Sequence, residues 1–361
     1  MAVLAVLWQI IFHYVFFLKL VQFKSLSPIE QDLPPVSVII CAKNERHNLS
    51  QNLPAFLSQD YPHYEVIVVN DASWDGTDEL LSIFSDQYAN LRVVEVGEEI
   101  KRIEGKKFPL TMGIKAAHNP VLLLSDADCK PLSNQWIKAM AGPYVHNPNI
   151  EIVLGYSPYE LKNSVLNFFI RAETSLTAML YTSFALAHKP YMGVGRNLSY
   201  KRDLFFKHKG FASHHHIPAG DDDLFVRDAA TKTNTAVVIE PRSRVLSSPK
   251  TQWKKWFQQK KRHLFVGKFY NPGIQSWLSS FALSHFLCWS LCLALFFWVD
   301  PMLPSILIAA KWILVWPVVL ISFKKLGYRY LGLFLPVMDL AYLFYSLFGG
   351  LVYVFSKKPK W

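Results

Sequence analysis

The chain reads Leu122-Leu123-Leu124-Ser125-Asp126-Ala127-Asp128 at the end of an apolar run that is typical of a buried strand. Alternate residues of a strand point to the same face, so the two carboxylates are predicted to lie side by side. Carboxylate oxygens are ligands for hard divalent cations, and such a cation can in turn hold a diphosphate. Many surface turns also contain an Asp-x-Asp pair, so the flanking sequence must decide between the two interpretations.

Apolar runs alternate with helical segments on both sides of this stretch. Buried strands are predicted at residues 36–41, 65–71, 91–96 and 120–125, with a further strand at 150–156 and a short one at 236–239. Helices are predicted at residues 44–59, 109–117 and 163–187, and another begins near residue 76. This alternation indicates a parallel sheet with right-handed crossovers. Ligands of such sheets lie beyond the carboxyl ends of the strands, where Asp71 and Asp126 are expected to meet.

Strongly apolar segments flank this α/β block. The 361-residue chain is 51% hydrophobic, and the excess lies near its two ends. Residues 1–18 contain no Lys, Arg, Asp or Glu and can just span a bilayer, whereas a signal peptide would need a basic start and a cleavage site. Further candidate spans are residues 277–299, 302–323 and 330–355. Lys311 and Asp339 within them are expected to snorkel or to face a neighbouring helix.

Basic residues predict on which side of the membrane the central block lies. Lys19 and Lys24 follow the first apolar segment, and Lys324-Lys325 follows the third, so both places are predicted to be cytoplasmic. If all four segments spanned the membrane, the basic tail at 357–360 would lie outside, against the same rule. The last segment is therefore either re-entrant or an exception to the rule, and the sequence leaves both open.

Charge and cysteine content narrow the class of protein. The formal net charge is +11, which in a membrane protein marks a cytoplasmic face or an anionic lipid surface. No recognition-helix or RNA-platform pattern accompanies the charge, so a nucleic-acid partner is not expected. The four cysteines form no Cys-x-x-Cys pair, which argues against a zinc ribbon or a disulfide framework and fits a reducing compartment.

Six motifs follow one another through the central block. They are VSVIICAKNE at 36–45, VVNDASWDGT at 68–77, GK at 105–106, DAD at 126–128, AGDDDL at 219–224 and QKKRH at 259–263. In this order, over about residues 34–268, the set resembles the family-2 glycosyltransferases. The resemblance implies the GT-A fold, an α/β fold with a Rossmann-like and mostly parallel sheet. It also implies a membrane-bound, inverting enzyme.

The resemblance and the apolar segments together predict how the chain is organised. The predicted parts are an N-terminal transmembrane helix at 1–24, a cytosolic GT-A domain at 34–249, an amphipathic interfacial helix at 250–272 and two or three transmembrane helices at 277–355. The interfacial helix is inferred because lysines alternate there with Trp253, Trp256 and Phe257. We therefore expect an integral protein of a bacterial inner membrane, in contact with membrane lipids, with a cytoplasmic catalytic domain.

The resemblance implies roles for the charged motif residues at the donor end. Asp126 and Asp128 are expected to hold Mg²⁺ or Mn²⁺, which would neutralise charge on the departing nucleoside diphosphate. Donor contacts are assigned to Glu45, Asp71, Lys106, Asp126, Gln259 and Arg262. Capping of the next helix is the alternative role for Asp71. For Lys106 the alternative is a solvated basic loop that includes Lys101, Arg102 and Lys107.

The acidic run Asp221-Asp222-Asp223 is the predicted source of the catalytic base. Close carboxylates raise one another's pKa, which suits a general base near neutral pH. Alignment with the family, counted back from Leu224, makes Asp221 the base. Asp222 stays a second candidate because family members usually have Glu where this chain has Gly220. An acidic helix N-terminus stabilised by the helix dipole is compatible with either role.

The last motif departs from the Gln-x-x-Arg-Trp pattern of membrane-bound, often processive members, because His263 replaces the Trp. Arg262 can still hold a phosphate, and Gln259 can still donate a hydrogen bond. Anchoring of this helix at the membrane surface is the alternative role for the segment.

The predicted reaction is a metal-dependent, hexosyltransferase-like transfer from a nucleotide sugar, with a UDP-sugar expected, to a hydroxyl of a lipid-linked or saccharide acceptor. A processive polysaccharide synthase is one alternative, which His263 and the small number of predicted helices disfavour. A catalytically silent membrane scaffold is another, and the intact motif aspartates argue against it. A nucleotidyltransferase is disfavoured by the acidic run and by the Gln-x-x-Arg motif.

Overall fold

The computed structural model describes residues 1–27, 32–97 and 105–355. The predictions for Lys101, Arg102 and the basic tail at 357–360 lie outside these residues. The strands are β1 (Val36–Ala42), β2 (Tyr64–Asp71), β3 (Leu91–Val96), β4 (Val121–Asp126), β5 (Cys129–Pro131), β6 (Ile152–Leu154), β7 (Leu198–Lys201), β8 (Thr235–Val237) and β9 (Val245–Ser247). Seven of these described strands form one sheet in the order β3-β2-β1-β4-β7-β6-β8, while β5 and β9 pair with each other.

Helices pack on both faces of the sheet, and further helices precede β1 and follow β9 in the chain. They are α1 (Ala2–Phe12), α2 (Leu18–Gln22), α3 (Arg46–Leu57), α4 (Thr77–Gln87), α5 (Lys107–Ala116), α6 (Trp136–His146), α7 (Val165–Leu186), α8 (Arg202–Lys207), α9 (Asp223–Ala229), α10 (Trp253–Val266), α11 (Pro272–Trp298), α12 (Met302–Lys325), α13 (Arg329–Leu333) and α14 (Leu335–Phe355). A π-helical turn, His13–Phe17, joins α1 to α2 without a break.

The sequence of β1 explains why the sheet is buried on both sides. Val38 and Ile40 belong to one hydrophobic cluster and Ile39 to another, because alternate residues of a strand point to opposite faces. β1 pairs in parallel with β2 and with β4, and β2 pairs in parallel with β3. The predicted mixed α/β fold with a mostly parallel sheet is therefore confirmed.

The second half of the sheet differs from the sequence prediction. β7 lies in the middle of the sheet and runs antiparallel to both β4 and β6, although no strand was predicted there. Its sequence Leu-Ser-Tyr-Lys is short and half polar, so it lacks the apolar run of a buried strand. The predicted strand at 150–156 shrinks to β6, because the chain leaves the sheet after Leu154.

Four described helical segments are long and apolar enough to cross a membrane: Ala2–Gln22, Pro272–Trp298, Met302–Lys325 and Leu335–Val352. Polar side chains join them inside the bundle. Gln9 donates to the hydroxyl of Ser284 at 2.7 Å, which ties the first helix to α11. Lys311 of α12 is fully buried and forms an ion pair with Asp339 of α14 at 2.7 Å. Lys311 therefore does not snorkel, whereas Asp339 faces a neighbouring helix as expected.

The contacts of α13 and α14 trace a turn within this bundle. Trp316 of α12 donates to the carbonyl of Gly332 in α13, and Asp339 at the start of α14 meets Lys311 near the middle of α12. Further along α14, the hydroxyl of Tyr345 donates to Glu173 of α7. The ring of Phe348 then lies 4.9 Å from that of Phe257 in α10. The final described helix thus runs back toward the α/β region.

The predicted amphipathic helix at 250–272 is observed as the shorter α10, followed by a 3₁₀ turn. Its lysine-rich side is exposed, except that Lys260 is buried and paired with Glu173 of α7. Trp256 is also buried, and its ring packs against that of Tyr345 in α14. Protein therefore covers Trp256, whereas Trp253 and Phe257 on the same helix are 43% and 38% exposed, and the interfacial role of this helix stays a prediction.

Candidate active site

The carboxyl ends of three parallel strands meet at one edge of the sheet. β1 pairs with β2 and β4 so that Cys41 lies opposite both Val69 and Asp126. Asp71 ends β2 and is buried, with 6% of its surface exposed. The strand register thus brings Asp71 and Asp126 to the same edge, as the sequence pattern predicted.

Asp126, Asp128 and Cys129 form a group of candidate metal ligands whose atoms all lie within 4.8 Å of one another. β4 ends at Asp126 and the chain turns before β5, so the two carboxylates share a turn rather than the expected strand face. Burial and the charge of Asp128 raise the pKa of the Cys129 thiol well above its usual range, which keeps the thiol protonated. The two carboxylates fit a hard ion such as Mg²⁺ or Mn²⁺, whereas a neutral thiol does not.

Lys106 and Lys107 are neighbours with different partners. Lys106 forms an ion pair with Asp126 at the edge of the cleft. Lys107 is buried and donates to the backbone carbonyls of His214 at 2.7 Å and Ile217 at 2.8 Å. Burial lowers the pKa of Lys107 to about 8. Lys107 therefore holds the loop that precedes the acidic run, and Lys106 is the lysine that faces the candidate site.

The three consecutive aspartates occupy three different environments. Asp222 caps α9, since one carboxylate oxygen accepts from the N–H of Asp223 at 2.8 Å and the other from the N–H of Gly195 at 2.7 Å. Asp223 is buried and accepts a hydrogen bond from the hydroxyl of Tyr270 at 3.0 Å. Asp221 lines the cleft, and burial, followed by the charge of Asp222, raises its pKa to about 6. This geometry favours Asp221 as the base and gives Asp222 a positioning role.

Gly220 accounts for the departure from the family pattern before the base. Its φ of +79° is one that residues with a side chain rarely adopt. A Cβ atom at this position would lie 2.7 Å from Leu224 and 3.1 Å from Val266. A glutamate at this position would strain the backbone and displace Leu224 and Val266, so the observed loop conformation favours glycine.

Gln259 and Arg262 lie three residues apart on α10, and both line the cleft. Gln259 donates to the hydroxyl of Tyr159 at 3.4 Å. The same hydroxyl accepts from the guanidinium of Arg196 at 2.9 Å, and this guanidinium lies 4.6 Å from the centre of the Tyr159 ring. Tyr159 thus connects the α10 motif to an arginine whose pKa is raised by Tyr159 and by the nearby Asp126 and Asp128, against its burial.

One cavity of about 670 Å³ joins most of these groups. Its lining includes the predicted site residues Lys106, Asp126, Asp221, Asp222, Gln259 and Arg262. Glu45, Asp71 and Asp128 are not among the described residues that line it. Glu45 directly precedes α3, and burial, followed by the charge of Asp128, raises its pKa.

Sequence reasoning missed several cleft residues. Arg196 lies in the 3₁₀ turn Gly195–Asn197, Tyr159 lies in a loop, and Glu173 lies in α7. None of them belongs to the six motifs, although the glycines of the stretch Gly-Val-Gly-Arg-Asn at 193–197 mark the neighbourhood of Arg196. Glu173 carries a signal only as a carboxylate in a long helix, where an unpaired buried charge is costly.

Comparisons with known proteins indicate the family of this chain. The family model described as glycosyl transferase family 2 matches residues 37–207, and the model described as glycosyl transferase family group 2 matches residues 126–348. The chain is 39% identical over 108 residues to the glycosyltransferase AglE of Haloferax volcanii, covering 29% of this chain and 34% of that protein. It is 26% identical over 239 residues to the probable glycosyltransferase YdaM of Bacillus subtilis, covering 64% and 55%.

A third relative is the poly-beta-1,6-N-acetyl-D-glucosamine synthase of Staphylococcus epidermidis, 28% identical over 166 residues, with 45% of this chain and 39% of that protein covered. The matched regions thus span between a third and just over half of these relatives. Among solved structures, the mannosyltransferase PcManGT of Pyrobaculum calidifontis, in complex with GDP-Man and Mn²⁺, superposes with a TM-score of 0.60 at 18% identity. That likeness covers 94% of this chain and 99% of the other, and at this identity it supports the fold alone.

The second family model covers more than half of the chain, from β4 through most of α14, and the first covers the sheet edge that carries Asp71 and Asp126. The motifs, the mostly parallel sheet and the two family matches lead to one conclusion: the chain belongs to the family-2 glycosyltransferases.

Proposed function

We propose that the protein is a membrane-bound, inverting glycosyltransferase that moves a sugar from a nucleotide sugar to a hydroxyl of a lipid-linked or saccharide acceptor. The observation that carries the proposal is that Asp126 and Asp221 line the same cavity in different protonation regimes. The pKa of Asp221 is raised to about 6, whereas the Lys106 ammonium holds the pKa of Asp126 below its usual range despite burial. One group is suited to accept a proton, and the other stays an anion.

The proposed step is a single displacement at the anomeric carbon of the donor sugar. The oxygen of the acceptor hydroxyl forms a bond to this carbon while Asp221 accepts the hydroxyl proton. The bond from the carbon to the diphosphate oxygen breaks, and its electron pair leaves with the nucleoside diphosphate. Because attack and departure take place on opposite faces of the sugar, the anomeric configuration inverts.

Asp126 and Asp128 would hold Mg²⁺ or Mn²⁺, which when bound supplies positive charge to the diphosphate as a Lewis acid. Lys106, which already pairs with Asp126, is positioned to add a further positive charge near the same end of the cleft. Gln259 and Arg262 face the cavity from α10 and offer a hydrogen-bond donor and a cation for donor phosphates.

Asp71 and Glu45 are proposed to bind the nucleoside half of the donor. Asp71 ends β2 at the sheet edge where α/β proteins bind nucleotides, and Glu45 directly precedes α3. A UDP-sugar is the proposed donor, as the family resemblance implies. The GDP-Man found in the mannosyltransferase with the similar fold makes a GDP-sugar the first alternative to include in a donor panel.

The proposed location is a bacterial inner membrane with the catalytic region in the cytoplasm. Four candidate spans support membrane insertion. Lys19 and Lys24 at the end of the first span, and Lys324-Lys325 at the end of the third, support the cytoplasmic orientation through the positive-inside rule.

The proposal is tested by measuring nucleoside diphosphate release from a panel of UDP- and GDP-sugars by the detergent-solubilised full chain. Release from one donor, stimulated by a membrane lipid extract or an oligosaccharide and lost on chelation of Mg²⁺ and Mn²⁺, would support it. Donor binding without turnover in any mixture, or no binding at all, would overturn it and favour a silent scaffold.

A processive polysaccharide synthase is the second candidate, and the similarity to the poly-beta-1,6-N-acetyl-D-glucosamine synthase favours keeping it. The same assay separates the two by product length. One added sugar per acceptor supports the non-processive enzyme, whereas long chains at early times support the synthase.

A further inference from the structure

The cavity that contains Asp221 continues past the carboxylates and between two candidate membrane helices. α11 and α14 touch where the ring of Tyr342 lies 6.0 Å from that of Phe281 and 5.1 Å from that of His285. On the side of this contact nearer the α/β region, the two helices form opposite walls of the cavity. The wall residues are Gln275, Leu278, Ser279 and Ala282 on α11 and Tyr345, Ser346, Gly349 and Gly350 on α14. We call this part of the cavity the helix arm.

The lining of the helix arm is almost free of formal charge. Among the described lining residues of α7, α11 and α14, the one charged side chain is Glu173. Its carboxylate is neutralised by an ion pair with Lys260 and accepts hydrogen bonds from Tyr345 and Thr177, each at 3.1 Å. The walls combine the apolar side chains of Leu278 and Ala282 with uncharged hydroxyl and amide groups, so they suit an uncharged chain better than a hydrated ionic group.

The two glycines of α14 widen the helix arm. A Cβ atom at Gly350 would meet no atom within 4 Å, so packing against the protein does not require glycine there. Glycine inside a helix is about 1 kcal/mol less favourable than alanine. The bare backbone instead leaves room along the wall of the cavity, in the part of α14 that faces Leu264 of α10.

The outer faces of the same helices are apolar and exposed. Leu283 of α11 is 57% exposed and Leu351 of α14 is 60% exposed, next to residues that line the arm. In helices that are candidate membrane spans, such faces lie against lipid. The arm is therefore continuous with the active-site cavity at one end and bounded by lipid-facing helices at the other.

We propose that the helix arm binds the hydrocarbon chain of a lipid acceptor, which enters between α11 and α14 from the bilayer and presents its head-group hydroxyl to Asp221. This inference rests on the proposed function and names the acceptor class for the same site. A saccharide chain is the alternative uncharged occupant, and crosslinks confined to the outer faces would favour it. The lipid chain could be acyl or isoprenoid, since both present an apolar hydrocarbon surface to the walls.

The test compares two tryptophan variants on adjacent residues of α11. Ala282→Trp places a large ring in the arm, while Leu283→Trp places the same ring on the outer face. The probes are a diacylglycerol and a polyprenol, each with a diazirine near the end of its chain, crosslinked to the full-length protein in detergent. We expect crosslinks at residues 275–282 and 342–350 in the parent, a fall of about tenfold or more in Ala282→Trp and little change in Leu283→Trp.

Donor binding is measured on the same variants by nucleotide-sugar titration, and it should not change, because the proposed donor contacts lie at the sheet edge and on α10 and not on α11. Gly350→Leu, with Leu351→Phe as its outer-face control, repeats the test in case Ala282→Trp does not fold. Crosslinks confined to the outer faces, or crosslinking in the arm that neither inward variant reduces, would overturn the inference. If the parent protein itself binds no nucleotide sugar, that result would instead count against the proposed function.

Discussion

Asp221, Asp222 and Asp223 follow one another in the chain, yet the backbone turns each carboxylate to a different set of partners. The hydrogen bonds from Gly195 and Asp223 hold the carboxylate of Asp222, and the Tyr270 hydroxyl holds that of Asp223. Asp221 lines the cleft, and its pKa is raised. From the sequence, both Asp221 and Asp222 were candidates for the catalytic base. Residue spacing does not reveal which carboxylate accepts hydrogen bonds from backbone N–H groups.

The first prediction separates these two candidates by isosteric substitution. Asp221→Asn removes the proton acceptor and is expected to lower the transfer rate by about 10²–10⁴-fold with donor affinity unchanged. Asp222→Asn loses one accepted hydrogen bond and is expected to lower stability by about 1 kcal/mol with a much smaller loss of rate. Steady-state transfer and donor titration on both proteins check this. A larger rate loss in Asp222→Asn than in Asp221→Asn would reverse the assignment.

The second prediction concerns the pH dependence of transfer. The pKa of Asp221 is about 6, above the ordinary value of a carboxyl, so the proton-accepting form is present above pH 6 and is lost as the pH falls below it. The charges of Asp222 and Asp126 favour protonation, and that of Lys106 opposes it. The profile of kcat/KM should therefore fall on the acid side with a midpoint near pH 6.

Asp222→Asn provides the check on that midpoint, since it removes a neighbouring negative charge without touching Asp221. The acid midpoint should move to lower pH in this variant. An unchanged midpoint would mean that another group controls the acid side of the profile.

At the scale of elements, the sequence predicts those parts of the fold that carry their own signal. β1, β2 and β4 contain continuous apolar runs and β3 contains three valines, so the positions of all four strands were predicted within one residue. β7 forms a strand because it pairs with β4 and β6, and this pairing places a short, half-polar segment in the centre of the sheet. Such pairing is a long-range property that a local pattern does not contain.

The third prediction concerns α10, which is joined to α7 by the Lys260–Glu173 pair. Both side chains are largely buried, at 9% and 13% exposed. Lys260→Met would leave the Glu173 charge without its cation, and a loss of about 3–5 kcal/mol in the free energy of unfolding is expected. Lys261→Met, on the exposed neighbour, is the matched control and should lose little.

Adding Glu173→Gln to Lys260→Met should recover much of that stability, because the uncompensated charge disappears. Denaturant or thermal unfolding of the solubilised proteins measures all three. Equal stability of Lys260→Met and Lys261→Met would show that the pair does not hold α10 in place.

At the scale of the whole molecule, the first helix and the α/β region share a hydrophobic core. The ring of Phe16 stacks on that of Phe184 in α7 at 4.2 Å, and both belong to the cluster that includes Ile39 of β1. From the sequence, the membrane segments and the catalytic domain were predicted as separate parts. Apolar residues indicate burial, but they do not indicate whether lipid or protein covers them, so this packing was not predictable.

The fourth prediction concerns the course of α14. Since α14 returns toward α10, Leu351 is expected on the same side of the membrane as the catalytic region. Leu351 lies one residue from the end of the candidate span Leu335–Val352, where the helix leaves the membrane. Leu351→Cys, with the four native cysteines replaced, should therefore react with a membrane-impermeant thiol reagent supplied from the cytoplasmic side. Met302→Cys, at the start of α12 and 68% exposed, should react from the opposite side. Reaction of both from one side would contradict this topology.

Gly220 carries a consequence for how this enzyme can change over generations. Its positive φ and the closeness of Leu224 and Val266 disfavour any side chain, so Gly220→Glu alone is expected to strain the loop rather than supply the acid that the family resemblance implies there. A lineage with this glycine would need compensating changes at Leu224 and Val266 to accommodate that acid. Changes in catalysis are therefore expected to arise more readily at other walls of the cleft than in this loop.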